Sequence, residues 1–169
     1  MSRKRSKYRP KGVRIDAVNW VVAGLQPLRS VKDEHLLLVS KNHAAMNEIT
    51  QGRGTRDHID VLIAALNMTE ALYQVRADLG RDWASEIRLG QDALLTMTRR
   101  GVQRGDRFVF TGPEMQAINL VLDVHDVQLG QCTVAELEKA IDLAKQEIRN
   151  KRARMIEQDK GEPCGSVSE

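Results

Sequence analysis

The chain has 169 residues, of which 41% are hydrophobic, 29% are charged and 4% are aromatic. This length and composition are typical of one globular domain with its own core, and the low aromatic content disfavours a stacking platform for single-stranded nucleic acid. The net charge is +3, from 26 Lys and Arg against 23 Asp and Glu. Seven of those cations precede the first acid, Asp16, so the remainder of the chain carries about −4.

The basic arm, residues 1–14, has no hydrophobic periodicity, which predicts an extended segment. Lys and Arg in such an arm suit the phosphates of nucleic acid, which release counterions on binding, or an acidic groove on a host protein. A solubilising tail without a partner is the alternative interpretation. The seven cations are Arg3, Lys4, Arg5, Lys7, Arg9, Lys11 and Arg14.

The sequence predicts a cytoplasmic protein with no membrane partner. No apolar run reaches the roughly 20 residues that span a bilayer. Asp16 and Asn19 interrupt the stretch that would follow the basic segment of a signal peptide. The two cysteines, Cys132 and Cys164, do not have the pattern of a disulfide framework, so we expect reduced thiols.

Hydrophobic periodicity predicts six helices within one domain, residues 15–159, mostly joined by short connections. The first begins at Asp16 and ends before Pro27, the second begins after Ser30 and ends near Gly52, and the third is capped by Thr55. The residues expected to face the core in the second and third helices are Leu38, Val39, Ala45, Met46, Ile49, Ile59, Leu62, Ile63, Leu66 and Tyr73.

The fourth helix is expected to begin at Asp82 and to turn Trp83, Ile87, Leu94 and Met97 inward. Phe108-Val109-Phe110 is the only plausible strand. The last two helices begin at capping boxes, Thr111-Gly112-Pro113-Glu114 and Thr133-Val134-Ala135-Glu136. Residues 160–169 lose the periodicity and are predicted to be a disordered tail. The predicted fold is therefore all-α, a compact bundle of about six helices with an extended basic arm.

Two connections are candidate anion sites. The glycine connection, Gly52-Arg53-Gly54-Thr55-Arg56, could offer backbone N–H groups and a helix N-terminus to a phosphate, although it lacks the lysine and preceding strand of a P-loop. The arginine segment, residues 99–107, has the composition of a mobile phosphate-binding loop. Each connection could equally be a plain solvated connector. The cations of the arginine segment are Arg99, Arg100, Arg104 and Arg107.

Three polar residues fall inside apolar stripes, namely Asn42, Glu70 and His125. Burying a charge costs several kcal/mol unless it is paired, so the pattern predicts a buried polar network with a Glu70–His125 contact. The pair is either structural or a general acid/base pair. Because neither Glu-x-x-His nor zincin spacing occurs, we assign no metal, cofactor or catalytic residue.

Apolar residues off the inner stripes predict a homodimer. Leu89 and Leu95 on the fourth helix, with Met68 and Leu72 on the third, would form a self-complementary patch.

Four segments resemble small uncharacterised helical proteins encoded by bacteriophages and prophages of proteobacteria. They are Lys4-Arg5-Ser6-Lys7-Tyr8-Arg9-Pro10-Lys11, Lys41-Asn42-His43-Ala44-Ala45-Met46, Gly52-Arg53-Gly54-Thr55-Arg56-Asp57 and Asn67-Met68-Thr69-Glu70-Ala71-Leu72. The resemblance spans most of residues 4–150. It implies a phage setting in the host cell cytoplasm, where small helical proteins bind host factors, nucleic acid or defence-signalling nucleotides, and it brings no activity with it.

The sequence is compatible with three functions. The leading one is a non-enzymatic binding protein that engages a polyanion, nucleic acid above all, or a host protein, through the basic arm and the arginine segment. The alternative is an oligomeric helical protein that sequesters a nucleotide-like small molecule with the glycine connection and the arginine segment. The third is an enzyme that uses Glu70 and His125.

Overall fold

The computed structural model describes residues 22–30 and 32–149. Its helices follow the predicted order. They are α1 (22–24), α2 (Lys32–Thr50), α3 (Arg56–Val75), α4 (Ala84–Gln103), α5 (Gly112–Gln131) and α6 (Val134–Arg149). No strand occurs in this part of the chain, and the all-α fold is confirmed. The basic arm, the predicted helix start at Asp16 and the tail at 160–169 lie outside the described residues.

The third helix is the centre of the bundle, because α3 contacts α2, α4, α5 and α6. A large core cluster fills the space between α2, α3, α4 and α5, with Ile49, Leu62, Met97 and Leu122 fully buried. A second cluster, which includes Leu72, Leu129 and Cys132, joins α3 and α5 to α6. Burial raises the pKa of the Cys132 thiol to about 11, so this thiol is protonated at neutral pH.

The helices alternate in direction, so their connections gather at two ends. The loop end consists of residues 51–55 and 104–111. The turn end consists of residues 25–30, 76–83 and 132–133, including the 3-10 turns Leu28–Ser30, Ala77–Leu79 and Arg81–Trp83. An isolated bridge ties each end together, Gly54 with Phe108 at the loop end and Pro27 with Thr133 at the turn end. The predicted strand at 108–110 is therefore only this single bridge.

Two residues of the predicted inner stripes are largely exposed. Trp83 is 45% exposed because it ends a 3-10 turn, and α4 begins one residue later, so its side chain is out of register with the inner face of that helix. Leu38 is 37% exposed, and among the side chains of α2 that the structure describes, the buried ones lie from Asn42 to Ile49.

Both capping boxes are present. Thr111 and Thr133 donate their backbone N–H groups to Glu114 and Glu136 respectively, each at 2.8 Å. The two threonine hydroxyls accept from the glutamate N–H groups at 3.5 and 3.3 Å. Each glutamate also binds an arginine of another segment, Arg100 or Arg76, so the caps fix tertiary packing as well as helix starts.

Candidate polyanion interface at the loop end

The two predicted anion sites are neighbours at the loop end. Gly54 pairs with Phe108 through the backbone bridge. Arg56 of the glycine connection donates to Asp106 of the arginine segment through Nε (3.1 Å) and Nη2 (2.9 Å). The two segments, 50 residues apart in the chain, therefore form one continuous surface.

Three arginines of this surface are already engaged with carboxylates. Arg53 donates to both carboxylate oxygens of Glu48 at 2.8 and 2.7 Å, and Arg56 forms its bidentate pair with Asp106. Arg100 donates to both oxygens of Glu114 at 2.7 and 2.6 Å and to the Val109 carbonyl at 2.8 Å. Planar bidentate pairs of this kind leave few donors free for a ligand.

Arg100 is a structural residue rather than a free cation. Its side chain is 26% exposed and that of Glu114 is 11% exposed. The bond from Arg100, aided by the N–H and hydroxyl of Thr111, lowers the pKa of Glu114 to about 2. The guanidinium of Arg100 joins α4 to the start of α5, and its assignment to the polyanion-binding cations stays a prediction.

The other three arginines are available. The side chains of Arg99, Arg104 and Arg107 are exposed, and none has an ion pair within the described residues. Arg104 and Arg107 lie on a fixed turn, since their N–H groups both donate to the Gly101 carbonyl, and Arg99 lies near the end of α4 just before it. The backbone that carries these three guanidiniums is therefore held in place.

The turn has a left-handed backbone at two successive residues, Gly105 (φ 69°) and Asp106 (φ 65°). Left-handed backbone is strained for a residue with a Cβ, and such strain is often found at functional sites. Here the bidentate bond from Arg56 holds Asp106 in place. This bond sets the position of Arg104 and Arg107 on either side of it.

The glycine connection does not offer a free amide cradle. The N–H groups of Gly52 and Arg53 donate to the carbonyls of Ile49 (3.0 Å) and Glu48 (2.8 Å), which end α2. The N–H of Thr55 donates to Nδ1 of His58 at 3.2 Å, which completes the cap of α3. A phosphate bound there as predicted would have to displace these internal partners.

The predicted Glu70–His125 contact is wrong. Glu70 is half-buried and accepts from Nε2 of Gln91 on α4 at 2.8 Å. The residue of α3 that faces α5 is one position earlier, where the Thr69 carbonyl accepts from Gln128 at 3.1 Å. Because one residue turns a helix by about 100°, this offset separates the carboxylate from the imidazole.

His125 and Asn42 are buried as predicted, with 3% and 6% exposure, but no hydrogen bond among the described residues joins them to each other or to Glu70. Burial lowers the pKa of His125 to about 4, so the imidazole is neutral at pH 7. Its Nδ1 has no hydrogen-bond partner in the described structure. The three residues therefore do not form the predicted network.

Sequence reasoning missed two cross-helix links. Nε2 of Gln128 donates to the Thr69 carbonyl and also to the Leu79 carbonyl, which ties α5 to α3 and to the turn end. His43 on α2 lies 2.7 Å from Asp126 on α5. In the sequence, only the position of Gln128 between apolar residues could have indicated the bonds of its side chain to Thr69 and Leu79.

The predicted self-complementary patch is wrong, because its members do not share a surface. Leu72 is completely buried, and Met68 packs on the second core cluster. Leu95 is half-buried, and only Leu89, at 63%, is widely exposed. The four residues do not lie together because α6 covers the side of α3 that was expected to face solvent.

The chain matches no family model, no curated protein and no solved structure. Among residues 22–30 and 32–149, no helix is long and apolar enough to cross a membrane. The same residues contain no group of three His, Cys, Asp or Glu side chains that could hold a metal ion.

Proposed function

We propose that this chain is a non-enzymatic, phage-type binding protein that engages the phosphates of nucleic acid through Arg99, Arg104 and Arg107, assisted by the basic arm. The observation that carries the proposal is the division of the six arginines of the glycine connection and the arginine segment into two sets. Three are held in bidentate pairs that build the surface. The other three are exposed and have no ion pair within the described residues: Arg104 and Arg107 lie on the fixed turn, and Arg99 lies near the end of α4. Guanidinium groups without partners are the usual ligands of backbone phosphates.

The number of cations in the basic arm and the arginine segment favours a long polyanion over a single nucleotide. The described chain begins at the turn end, where the N–H of Leu28 donates to the Cys132 carbonyl at 2.9 Å. The arginine segment is at the loop end, and a 20-residue helix such as α4 separates the ends by about 30 Å. A nucleic acid can span this distance and offers phosphates to the seven cations of the arm and to Arg99, Arg104 and Arg107, whereas a mononucleotide offers at most a few.

The competing functions have less support. A nucleotide-sequestering site would rely on amides and arginines of the glycine connection that already have partners. An enzyme that used Glu70 and His125 would need the two groups to meet a common substrate, yet one is bound to Gln91 and the other is enclosed in the core.

The proposal is tested by fluorescence anisotropy with a labelled duplex of about 20 base pairs at about 50 mM salt. The variant Arg99→Gln/Arg104→Gln/Arg107→Gln is compared with Arg29→Gln/Arg88→Gln/Lys139→Gln, which removes the same charge from exposed positions away from the loop end and from the cleft described below. Losing up to three phosphate contacts should weaken binding about tenfold or more and reduce the slope of log K against log salt by up to about 2.7.

The control variant is expected to bind almost as tightly as the unmodified chain. Equal losses in the two variants would mean that only overall charge matters and would contradict the assignment. Absence of binding to duplex DNA and to RNA at low salt would contradict nucleic acid as the partner and favour a host protein.

A further inference from the structure

A second surface lies at the turn end, on the opposite side of the molecule from the arginine segment. A cleft of about 410 Å³ opens between residues 77–83 and α5. The apolar residues that line it include Trp83, Leu120, Val124 and Val127. Trp83, Leu120 and Val127 are 45%, 37% and 58% exposed, so the cleft presents apolar surface to solvent.

The rim of the cleft is acidic. Asp82 and Asp123 line it, and neither has an ion pair within the described residues. Asp78 also lines it, 3.2 Å from Nε of Arg76, and Arg81 is the one cation among the lining residues. An apolar floor with carboxylates on its rim suits a ligand that combines cations with apolar groups, and an exposed indole also attracts guanidinium and ammonium groups.

The basic arm combines cations with apolar groups. Its seven cations surround Tyr8 and Pro10, and it contains no acid. A segment with these residues can place its apolar groups on Leu120 and Val124 while its cations approach Asp82 and Asp123.

The arm is also attached close to the cleft. Gly24 lies against Ala135 at the start of α6, and Leu28 is bonded to Cys132, the residue after the cleft-lining Gln131. The eight steps from Arg14 to Val22 span at most about 28 Å when extended, and about 16 Å when residues 16–22 form the predicted first helix. The part of α5 that lines the cleft, from Leu120 to Gln131, is about 17 Å long, so the tether is comparable in length to the cleft.

We infer that the cleft formed by Trp83, Leu120, Val124 and Val127, with Asp82 and Asp123 on its rim, is the docking site of the chain's own basic arm. Because the arm is covalently attached to the bundle, even a weak contact is sufficient for the arm to occupy the cleft for part of the time. A short flexible tether gives an effective concentration of order 1 mM, so an arm whose free peptide binds with a Kd of about 1 mM occupies the cleft about half of the time. The inference does not depend on the proposed function, and its test contains no nucleic acid.

The test uses acrylamide quenching of Trp83 in the full chain. The chain has two tryptophans, so Trp20→Phe leaves Trp83 as the only one. Replacing all seven arm cations by Gln in this background should raise the quenching constant up to about twofold, because the arm no longer covers Trp83. Adding a peptide of residues 1–14 should restore the protection with half-effect near 1 mM, and a peptide with seven Gln should not.

Matched acidic variants locate the contact. Asp82→Asn/Asp123→Asn should expose Trp83 as fully as neutralising the arm does, whereas Asp57→Asn/Asp60→Asn, which removes two exposed acids near the loop end, should leave the quenching unchanged. Equal quenching in the chains with the native and neutralised arms would overturn the inference. So would an equal effect of the two acidic variants, or protection that grows with protein concentration, since that would mean an arm from a second copy.

Discussion

At the scale of single residues, the hydrophobic pattern of the sequence predicted the burial of polar residues better than it predicted their hydrogen-bond partners. The burial of Asn42 and His125 followed from their positions in apolar stripes. The hydrogen-bond partner of Glu70 did not follow from the sequence, because a helical wheel calculated for an isolated helix does not show which neighbouring helix packs on each side. The two capping glutamates were identified from local spacing, since a capping box is satisfied within four residues.

Glu114 gives the clearest prediction at this scale. The pKa of this carboxyl is about 2 in the folded chain and near 4.5 when the group is free. Its stabilising effect is therefore complete above pH 4.5 and is lost as the pH falls towards 2. Glu114→Gln should cost about 1–2 kcal/mol at pH 7, because the Arg100 pair and part of the cap are lost, and much less near pH 2.5.

Urea unfolding followed by circular dichroism at several pH values measures this difference. Glu138→Gln is the control, because Glu138 is an exposed glutamate of α6 without an ion pair in the described structure. A Glu114→Gln cost that stays the same from pH 7 to pH 2.5 would contradict the assigned pairing.

At the scale of elements, helix order and the starts of α3, α5 and α6 were predictable, whereas the start of α4, predicted at Asp82 and found at Ala84, and the packing of the connections were not. Caps and periodicity are local properties, which explains why all six helices occur in the predicted order. The meeting of the glycine connection with the arginine segment depends on tertiary contacts, such as the Arg56–Asp106 pair, that no local pattern encodes. The candidate site was therefore predicted as two separate pieces and not as one surface.

The packing of Phe108 on α4 fixes the position of the arginine segment and can be tested with glycines. A Cβ on Gly101 would lie 2.2 Å from Cδ1 of Phe108, so Gly101→Ala has to displace the ring and should cost about 1–3 kcal/mol. Gly130 on α5 has nothing within 4 Å of such a Cβ, so Gly130→Ala should be neutral or gain about 0.5–1 kcal/mol from helix propensity. Thermal unfolding of the two variants measures both stability changes. Similar stability changes for the two would mean that Phe108 does not pack against the backbone of α4.

At the scale of the whole molecule, charged groups without an ion pair are divided between the two ends of the bundle. Arg104 and Arg107 on the fixed turn, with Arg99 near the end of α4, lie at or beside the loop end, and the turn end carries an acidic, partly apolar cleft near the attachment of the basic arm. If the arm occupies that cleft, a polyanion has to compete for the arm but not for Arg99, Arg104 and Arg107. The arginine segment would then make the first contact, and the arm would follow at higher nucleic-acid concentration.

Arginine-specific modification by phenylglyoxal, read by mass spectrometry with and without saturating duplex DNA, tests the central claim most directly. In the free protein, Arg99, Arg104 and Arg107 should react readily, and the bidentately paired Arg53, Arg56 and Arg100 should react slowly. Bound DNA should protect the first three, while the exposed Arg81 and Arg88 continue to react. Unchanged modification of Arg99, Arg104 and Arg107 while DNA is bound would contradict the assignment of the loop end as the polyanion interface.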